Sequence, residues 1–360
     1  MERTNVAREY SIAVIPGDGI GEEVIREGLK VVHALAEIHG FKLILTNYPW
    51  GADHFLKTGV IHPDSAFDEY RQQRAVYLGA IGDPRCEVGL LERAIIAGLR
   101  FKLDLFVNLR PIKLYDERFC PLKDKKPEHV DMIVVRENTE DAYTGIGGIF
   151  KQGTQDEVAI ATMLYTRKGC ERVIRYAFEL AKTRKRRKLT LVDKANAVRA
   201  QDIWTRTFAE VAKDYPDITT DHAYIDAACM WLVKNPESFD CAVMPNIFGD
   251  IFTDLGAMIQ GGLGIAASGN LHPGKTSMFE PIHGSAPKYR GKNVANPLAA
   301  INAGGMMLDY LGEKEAAARV DQAIAALLTS GRITSLSAGD HKTTEIGDMV
   351  PAEVRKLAKR

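Results

Sequence analysis

The chain has 360 residues, of which 46% are hydrophobic and 26% are charged, as in ordinary globular proteins. Lys plus Arg and Asp plus Glu both number 47, and zero net charge gives no reason to expect nucleic acid or an anionic membrane as a partner. No apolar stretch approaches the roughly 20 residues that span a bilayer, the start lacks a signal-peptide core, and five cysteines without CxxC spacing are typical of reduced thiols, so we expect a cytoplasmic protein.

The first predicted strand is followed by a glycine turn. The apolar residues 10–15 predict a strand, and the sequence PGDGIG after it opens an amphipathic helical pattern. The glycines follow GxGxG rather than the GxGxxG of a dinucleotide fingerprint, and the next strand, FKLILTNY, ends without the acid that a Rossmann site needs. From the residues alone, the turn either approaches a ligand or simply connects strand and helix tightly.

Strand and helix patterns alternate through the middle of the chain. Residues 90–105 and 167–181 are predicted helices, and the segments AVYLGAIG, VDMIVVRE and LTLVDKAN are strand-like. Residues 145–165 are glycine-rich and then alternating, which predicts a β-hairpin or arm. The basic run KTRKRRK is interpreted as solvated cations at a helix C-terminus rather than a nucleic-acid patch. The alternation predicts an α/β protein with a largely parallel sheet.

Residues 239–259 contain the most distinctive local pattern. An apolar run predicts a buried strand, which Pro245 and Asn246 end, and apolar residues at helical spacing follow. The predicted helix places Asp250 and Asp254 at i and i+4, with Cβ atoms roughly 5–6 Å apart on one face. These carboxylates repel each other, and a hard divalent cation would convert the repulsion into a binding site. Two solvated acids on an exposed face are the alternative.

Longer motifs occur in one order along the chain. They are NLRP at residues 108–111, VVRENTE at 134–140, VDKAN at 192–196, NIFGDIFTDL at 246–255, EPIHGSAP at 280–287 and ANP at 295–297. Together they resemble the isocitrate/isopropylmalate dehydrogenase family, the metal-dependent β-decarboxylating dehydrogenases, over essentially the whole chain. The resemblance implies an isopropylmalate dehydrogenase-like α/β fold of two domains with a parallel or mixed sheet, which is not a Rossmann fold.

The resemblance also implies how the domains are organised. A large domain, residues 1–106 and 262–360, would hold both termini and most of the cofactor site. A small domain, residues 107–261, would carry the metal ligands and a dimerisation arm. Active sites in this family are shared between subunits, so the resemblance implies a homodimer acting on a small-molecule substrate.

The implied reaction is oxidation of a 2-hydroxy dicarboxylic acid, with hydride transfer to NAD or NADP and loss of CO2. Arginine suits the two carboxylates because its fork binds them bidentately. The residues that match the family's substrate arginines are Arg100, Arg110 and Arg136. Lys194 matches the base that accepts the hydroxyl proton, and Tyr143 matches the acid that protonates the enol carbon.

A divalent metal ion, Mg²⁺ or Mn²⁺, is implied as well. It would lower the pKa of the substrate hydroxyl and neutralise the enolate. Asp250 and Asp254 match its ligands from one subunit, and Asp226 matches the ligand from the other.

The cofactor motifs carry one departure from the family. Asn196 matches a position beside the nicotinamide, and the loop for the adenosine half corresponds to His283, Gly284, Ser285, Ala286 and Asn296. NAD-dependent relatives usually have Asp after HGSAP, whereas this chain has Lys288 and Tyr289, as NADP-dependent isocitrate enzymes do. A cation there favours the 2′-phosphate, so we expect NADP over NAD, although an exposed lysine would still admit NAD.

The substrate motif carries the other departure. Isocitrate enzymes have Ser and Asn before Arg100 for the γ-carboxylate, whereas this chain has the apolar Ile96, which fits an alkyl group better than an unpaired charge. The resemblance therefore favours a 3-isopropylmalate dehydrogenase-like enzyme of leucine biosynthesis. Those enzymes normally have Leu-Leu at residues 96–97, so a decarboxylating tartrate or D-malate dehydrogenase is an alternative, followed by isocitrate or homoisocitrate dehydrogenase. A non-catalytic regulatory subunit is the alternative from another class.

Overall fold

The computed structural model describes residues 8–359, and it confirms the predicted α/β class. The strands in chain order are β1 (Arg8–Gly17), β2 (Phe41–Asn47), β3 (Ala75–Ala80), β4 (Val107–Lys113), β5 (Asp131–Glu137), β6 (Gly147–Phe150), β7 (Val158–Ala161), β8 (Lys188–Asp193), β9 (Thr219–Tyr224), β10 (Cys241–Met244), β11 (Ala267–Leu271) and β12 (Ser277–Pro281).

The α-helices alternate with these strands. In chain order they are α1 (Gly21–His39), α2 (Ala52–Thr58), α3 (Ala66–Gln72), α4 (Leu90–Glu92), α5 (Gly98–Lys102), α6 (Arg167–Thr183), α7 (Asp202–Ala212), α8 (Ile225–Lys234), α9 (Asn246–Ile259), α10 (Leu298–Tyr310), α11 (Lys314–Thr329) and α12 (Thr343–Ala358). Among these helices of the described chain, none combines the length and apolar character that a membrane crossing requires.

The chain divides into two compact units. The first contains the described residues within Met1–Leu105, Leu114–Pro127 and Ala257–Arg360, and the second contains Phe106–Lys113 and Glu128–Gly256. Residues 114–127 therefore group with the first unit and not with the small domain expected at 107–261. Two hydrogen bonds hold that segment against α11, from the Tyr115 hydroxyl to Asp321 Oδ1 at 2.8 Å and from Arg118 Nη2 to the Leu328 carbonyl at 2.5 Å.

The first unit contains five strands in the order β2-β1-β3-β12-β11. They are parallel except for β11, which runs antiparallel to β12. Every residue of β3 is buried, as expected of a strand that lies inside a parallel sheet with both faces covered. Ile15 and Leu78, from neighbouring strands, lie in one apolar cluster with residues of the helices that pack on the sheet.

The second unit contains five strands in the order β4-β5-β10-β8-β9. Only β4 is antiparallel to its neighbour β5, and the other pairs are parallel. Because β5, β10 and β8 run in one direction, their carboxyl ends meet at one sheet edge, where ligands of α/β proteins usually bind. The predicted hairpin is confirmed: β6 and β7 form a separate antiparallel pair within residues 145–165.

The predicted helix at residues 90–105 differs from the structure in two ways. A π-helical turn, Arg93–Ala97, separates α4 from α5, and the helical segment ends at Lys102. Leu91, Ile95 and Leu99 are all buried in the core of the first unit. These side chains are four residues apart, whereas an α-helix has 3.6 residues per turn. The wider π-helical turn therefore keeps them on one side of the helical segment.

The interpretation of KTRKRRK as solvated cations is wrong for Arg184. Its Nε donates to Asp240 Oδ1 at 2.8 Å and its Nη2 lies 3.1 Å from Asp131 Oδ1, with only 18% of the side chain exposed. A buried aspartate next to a strand needs such a partner because an unpaired charge inside a protein is costly. Arg184 therefore links the segment after α6 to the sheet of the second unit.

Candidate active site

Helix α9 begins directly after β10 and carries the predicted acid pair. Arg110 contacts both acids: its Nη2 lies 3.3 Å from Asp250 Oδ1 and its Nη1 lies 3.3 Å from Asp254 Oδ1. One guanidinium reaches both carboxylates because residues four apart on a helix share a face. The prediction that Asp250 and Asp254 lie together on one helix face is therefore confirmed.

Two buried arginines approach this face from the sheet. Arg110 lies on β4 and Arg136 on β5, and only 6% and 1% of their side chains are exposed. Arg136 Nη1 makes a hydrogen bond to Asp250, and its Nε donates to Asn246 Oδ1 at 2.9 Å. Arg110 also donates to Thr253 Oγ1 at 2.6 Å. Both cations are thus held in place by α9 itself, in agreement with the rule that buried charges need partners.

Tyr143 completes this group of side chains. It lies in a short turn beyond β5, and its hydroxyl donates to Asp250 Oδ2 at 2.8 Å. Its ring is 44% exposed and lies 5.4 Å from the guanidinium carbon of Arg136, within range of a cation–π contact. The structure therefore brings the predicted acid, two predicted substrate arginines and two predicted metal ligands into one cluster.

The electrostatics of α9 suit a bound cation. Burial raises the pKa of Asp254, the charge of Asp250 adds to this, and Arg110 and Arg136 oppose it. A divalent ion between the carboxylates would relieve both the desolvation and the repulsion. Asp254 remains half exposed, so its oxygens are accessible to an ion. The donor set of two hard oxygen ligands fits Mg²⁺ or Mn²⁺.

Lys194 and Asp226 form a second group at the same sheet edge. Lys194 directly follows β8, and its Nζ lies 2.7 Å from Asp226 Oδ1 in the first turn of α8. The hydrogen bond from Lys194 lowers the pKa of Asp226. Within residues 8–359, no three His, Cys, Asp or Glu side chains are grouped so that they could hold a metal ion together. One chain therefore provides Asp250 and Asp254 as a pair, with Asp226 placed beside Lys194 instead.

A buried chain of hydrogen bonds, which the sequence analysis did not identify, connects these elements. The Tyr165 hydroxyl donates to Asp141 Oδ1 at 2.8 Å and accepts from Gln201 Nε2 at 2.7 Å. Gln201 Oε1 accepts from the backbone N–H of Lys194 at 2.6 Å. The other oxygen of Asp141 accepts from the N–H of Ile247 in the first turn of α9, at 3.0 Å.

Two members of this hydrogen-bond chain are fully buried, and one of them has an unusual backbone conformation. Asp141 and Gln201 have no exposed surface, and Asp141 has a φ of 70°, which costs energy outside glycine. The only sequence signal was the position of Asp141 within the motif containing Tyr143. These hydrogen bonds join the backbone of Lys194 to α9, the helix that bears the acid pair.

Arg100 and Ile96 belong to the first unit. Arg100 Nη2 donates to Glu280 Oε1 at 3.2 Å, and the same oxygen accepts from Asn270 Nδ2 at 2.8 Å. The buried Nε of Arg100 has no hydrogen-bond partner among the described residues. Ile96 lies in the π-helical turn and is half-buried against the core. The sequence analysis did not identify Glu280 as the partner of Arg100, although it opens the EPIHGSAP motif.

The glycine turn packs against the HGSAP loop. Ile20 N–H donates to the Ser285 carbonyl at 2.8 Å, and Ser285 Oγ donates to the Gly82 carbonyl at 2.5 Å. A Cβ on Gly19, whose φ is 58°, would lie 2.0 Å from the Ser285 carbonyl oxygen, so only glycine fits. The GxGxG pattern therefore allows the glycine turn to pack closely against the neighbouring HGSAP loop.

Within the HGSAP region, one group is free to bind a ligand. Burial lowers the pKa of His283, and its Nε2 is buried without a hydrogen-bond partner in the described chain. Such an unsatisfied atom fits a loop that binds a polar cofactor group. Asn296, in contrast, is used locally: it donates to the Leu336 carbonyl at 3.2 Å and accepts from Leu298 N–H at 3.0 Å.

The residues after HGSAP lie on the surface. Lys288 is exposed, with its Nζ 4.7 Å from the centre of the Tyr289 ring. Arg290 is occupied by an ion pair with Asp53 at 2.6 Å. Asn196, in the second unit, is exposed. Lys288 therefore contacts Tyr289 and, unlike Arg290, makes no ion pair among the described residues.

The fold and these side chains define a class of protein: an α/β protein with a candidate enzyme site that combines buried arginines with a carboxylate pair suited to a divalent ion. Comparisons with known proteins agree. Residues 11–350 match the family described as isocitrate/isopropylmalate dehydrogenase. The chain belongs to this family.

Individual relatives extend over almost the whole chain. A 3-isopropylmalate dehydrogenase from Thermobifida fusca is 47% identical over 351 residues, which cover 97% of this chain and 98% of the relative. A 3-isopropylmalate dehydrogenase from Corynebacterium glutamicum is 48% identical over 343 residues, covering 94% and 98%. A crystal structure of isocitrate dehydrogenase from Methylococcus capsulatus is similar with a TM-score of 0.87 at 36% identity, covering 96% of this chain and 99% of that chain.

The protein is therefore a decarboxylating dehydrogenase. It acts on a small-molecule substrate with a divalent metal ion and NAD(P), and the predicted family, fold class and reaction class are confirmed.

Proposed function

We propose that this enzyme oxidises and decarboxylates 3-isopropylmalate, with the residues of the α9 cluster and Lys194 at its active site. The observation that carries the proposal is the convergence of two nearly buried arginines, Arg110 and Arg136, with Tyr143 on the exposed acid pair of α9. Buried arginine forks are suited to hold a carboxylate bidentately. The names and 47–48% identity of the relatives support the choice of substrate.

The proposed mechanism assigns one task to each side chain. Arg110 and Arg136 bind a carboxylate of the substrate, and Arg100 binds the other. Lys194 Nζ accepts the proton of the substrate hydroxyl as hydride leaves the carbon that bears this hydroxyl. The Tyr143 hydroxyl donates a proton to the enol carbon after CO2 departs. When bound, the divalent ion supplies Lewis acidity toward the hydroxyl and carboxylate oxygens.

The ion would be held by Asp250 and Asp254 of one chain and by Asp226 of the partner subunit. Two observations support a homodimer with shared sites. The side chain of Asp226, which the proposal places at the partner's metal ion, is 66% exposed in the single chain and so is accessible to a second subunit. The β6–β7 hairpin exposes the large apolar side chains Ile149, Phe150 and Ile160 by 56%, 65% and 63%. A monomeric protein seldom leaves such a contiguous apolar edge uncovered.

NADP is the proposed cofactor in preference to NAD. His283 to Ala286 would hold the adenosine half, and Asn196 would lie beside the nicotinamide. Lys288 and Tyr289 would contact the 2′-phosphate, because Lys288 is exposed and makes no ion pair among the described residues. A lysine at this position also removes the carboxylate that would accept hydrogen bonds from the ribose.

Ile96 supports an alkyl substituent on the substrate. Its side chain is partly buried and apolar, and an apolar wall next to Arg100 offers no donor for a third carboxylate. A smaller substituent, as in D-malate or tartrate, is the second candidate because Ala97 offers an isopropyl group less apolar contact than the second residue of a Leu-Leu pair would. Leucine biosynthesis in the cytoplasm is part of the proposal, and five unpaired cysteines agree with a reducing compartment.

The test is a matrix of steady-state assays. The purified enzyme with Mg²⁺ or Mn²⁺ is assayed on 3-isopropylmalate, D-malate, tartrate and isocitrate, each with NAD and NADP. We expect the highest kcat/KM for 3-isopropylmalate with NADP. Ile96→Ser should lower the 3-isopropylmalate to D-malate ratio by about tenfold or more, since each methylene in an apolar pocket is worth roughly 1–3 kcal/mol.

Ile44→Ser, a substitution of an exposed isoleucine on β2, is the matched control and should leave the ratio unchanged. A higher kcat/KM for D-malate, tartrate or isocitrate than for 3-isopropylmalate would contradict the proposed substrate. An unchanged ratio in Ile96→Ser would remove Ile96 from the pocket.

A further inference from the structure

The first unit contains a cavity that the catalytic residues do not use. Its volume is about 650 Å³, within the range of small-molecule sites. Residues of three segments line it, namely 71–74, 102–104, and 272 with 274–276, together with Tyr310. Most of the lining residues carry a polar or charged side chain, with Leu103 and Gly274 as exceptions.

This cavity lies at the opposite end of the strands from the HGSAP loop. Residues 71–74 lead into β3 and residues 272–276 lead into β12, whereas HGSAP follows the end of β12. A strand of five or six residues rises roughly 3.3 Å per residue, so roughly 16–20 Å of strand separates the two ends. A ligand in the cavity would therefore be separate from the proposed cofactor.

Positive charge dominates the lining. The cavity is lined by Arg71, Arg74, Lys102 and Lys275, against the single acid Asp104. The whole chain has zero net charge, so this is a local concentration of cations. A concave site lined by one sign of charge attracts ligands of the opposite sign.

Two of these cations remain available. Arg71 is paired with Asp68 at 2.5 Å, and Lys102 lies 3.6 Å from Asp64. Arg74 and Lys275, in contrast, make no ion pair or side-chain hydrogen bond with any residue of the described chain. Both are exposed, so an anion can reach them.

Gln73 adds a polar group that has no partner. Its side-chain oxygen is buried and lacks a hydrogen bond among the described residues. Buried polar atoms are normally satisfied, and an amide can present either its oxygen or its nitrogen. A ligand with both charged oxygens and a hydroxyl would use this group together with the cations.

The walls of the cavity are held in place by hydrogen bonds between the three segments. The Tyr310 hydroxyl lies 2.9 Å from the His272 carbonyl oxygen and 2.5 Å from that of Lys275, so its single proton can be donated to either. Thr276 Oγ1 donates to the Gln73 carbonyl at 2.7 Å, and His272 Nδ1 lies 2.9 Å from the Asp104 carbonyl. A rigid frame reduces the ordering cost that a ligand must overcome.

We infer that this cavity is a binding site for a small, multiply charged anion, a phosphorylated or polycarboxylate metabolite, held by Arg74 and Lys275 with Gln73 as a neutral contact. An arginine fork and a lysine point charge together bind both kinds of group. The size of the cavity admits an anion larger than a single phosphate. The assignment is independent of the proposed substrate because none of these residues belongs to the α9 cluster.

Pyrophosphate and citrate are the probes, measured by isothermal titration calorimetry on the full-length enzyme without added metal. We expect a Kd of roughly 1 mM or tighter for at least one of them. The double variant Arg74→Gln/Lys275→Gln should weaken this affinity by about tenfold or more. Lys185→Gln/Arg187→Gln, which removes two exposed cations from the basic run after α6, should change it less than about twofold.

A second measurement locates the anion. Crystals soaked in selenate should show anomalous density between Arg74 and Lys275. If the double variant does not stay folded under the conditions of the titration, Lys275→Gln alone provides the affinity test, and we expect its affinity for the anion to be about threefold lower. Tighter binding of pyrophosphate than of citrate would assign a phosphorylated ligand, and the reverse would assign a polycarboxylate. Absence of binding to the wild type, equal affinity in the double variant, or selenate density only outside this cavity would each overturn the inference.

Discussion

Replacing Tyr165 by phenylalanine tests the buried hydrogen-bond chain with the least possible change in shape. The hydroxyl donates to Asp141 Oδ1 at 2.8 Å and accepts from Gln201 Nε2 at 2.7 Å. Neither partner has any exposed surface, so water cannot replace the lost contacts. Phenylalanine keeps the ring and its packing.

The expected loss follows from these two bonds. A hydrogen bond to a charged group is worth roughly 1.5–3 kcal/mol and a neutral one roughly 0.5–1.5 kcal/mol, so the free energy of unfolding should fall by about 2–4.5 kcal/mol. Because Gln201 also accepts from the backbone of Lys194, the position of Lys194 should become less defined. We expect kcat to fall by about tenfold or more, since small misplacements of catalytic groups are costly.

Urea unfolding at one fixed protein concentration measures the stability, and steady-state assays measure kcat. Tyr224→Phe is the matched control: that ring is 38% exposed, and its hydroxyl makes no hydrogen bond with the described residues. If Tyr165→Phe unfolds within about 0.5 kcal/mol of the wild type and retains its kcat, the hydrogen-bond chain neither stabilises the unit nor positions Lys194.

Three further predictions concern the cofactor, the metal and pH. Lys288→Asp should raise the NAD to NADP ratio of kcat/KM by about tenfold or more, and Lys292→Asp, four residues along, should leave it unchanged; equal ratios would show that Lys288 does not contact the 2′-phosphate. Asp254→Asn and Asp250→Asn should both abolish the rise in melting temperature caused by Mn²⁺. Asp250→Asn should destabilise the metal-free enzyme more than Asp254→Asn, because Asp250 pairs with both buried arginines, Arg110 and Arg136, whereas Asp254 pairs with Arg110 and burial raises its pKa. Equal Mn²⁺ stabilisation of wild type and variants would exclude these ligands. Burial raises the pKa of Glu137 from its ordinary value of 4.5 to about 7, so the folded state holds a proton that the unfolded state releases, and the free energy of unfolding should fall by about 3 kcal/mol as the pH rises between these two values, at roughly 1.36 kcal/mol per pH unit. Glu137→Gln should remove this dependence of the free energy of unfolding on pH, as measured by urea titrations at several pH values. An unchanged dependence would show that Glu137 is not its source.

Local patterns predicted much of the fold. The alternation of strands and helices, the β6–β7 hairpin and the carboxylate pair of α9 all depend on residues that are close to each other in the sequence. Their geometry is therefore fixed by backbone periodicity. The π-helical turn before Arg100 was not predicted, because it depends on how Leu91, Ile95 and Leu99 fit a core made by distant segments.

The contacts of the candidate site were less predictable. Arg136 and Asp250 are 114 residues apart, and Gln201 and Tyr165 are 36 apart. No spacing rule connects residues at such separations, since the strand order of the sheet decides which chain ends meet. The ordered motifs suggested which residues to consider but not which of them would touch.

The sequence by itself determined the class of fold, the family and the shared face of Asp250 and Asp254. Tertiary structure alone decided that Arg110 and Arg136 are buried against that face, that Asp141, Tyr165 and Gln201 tie Lys194 to α9, and that Arg74 and Lys275 line one cavity. The reason is physical: periodicity fixes neighbours along an element, whereas contacts between elements depend on which packing buries the apolar surface while keeping every buried charge paired.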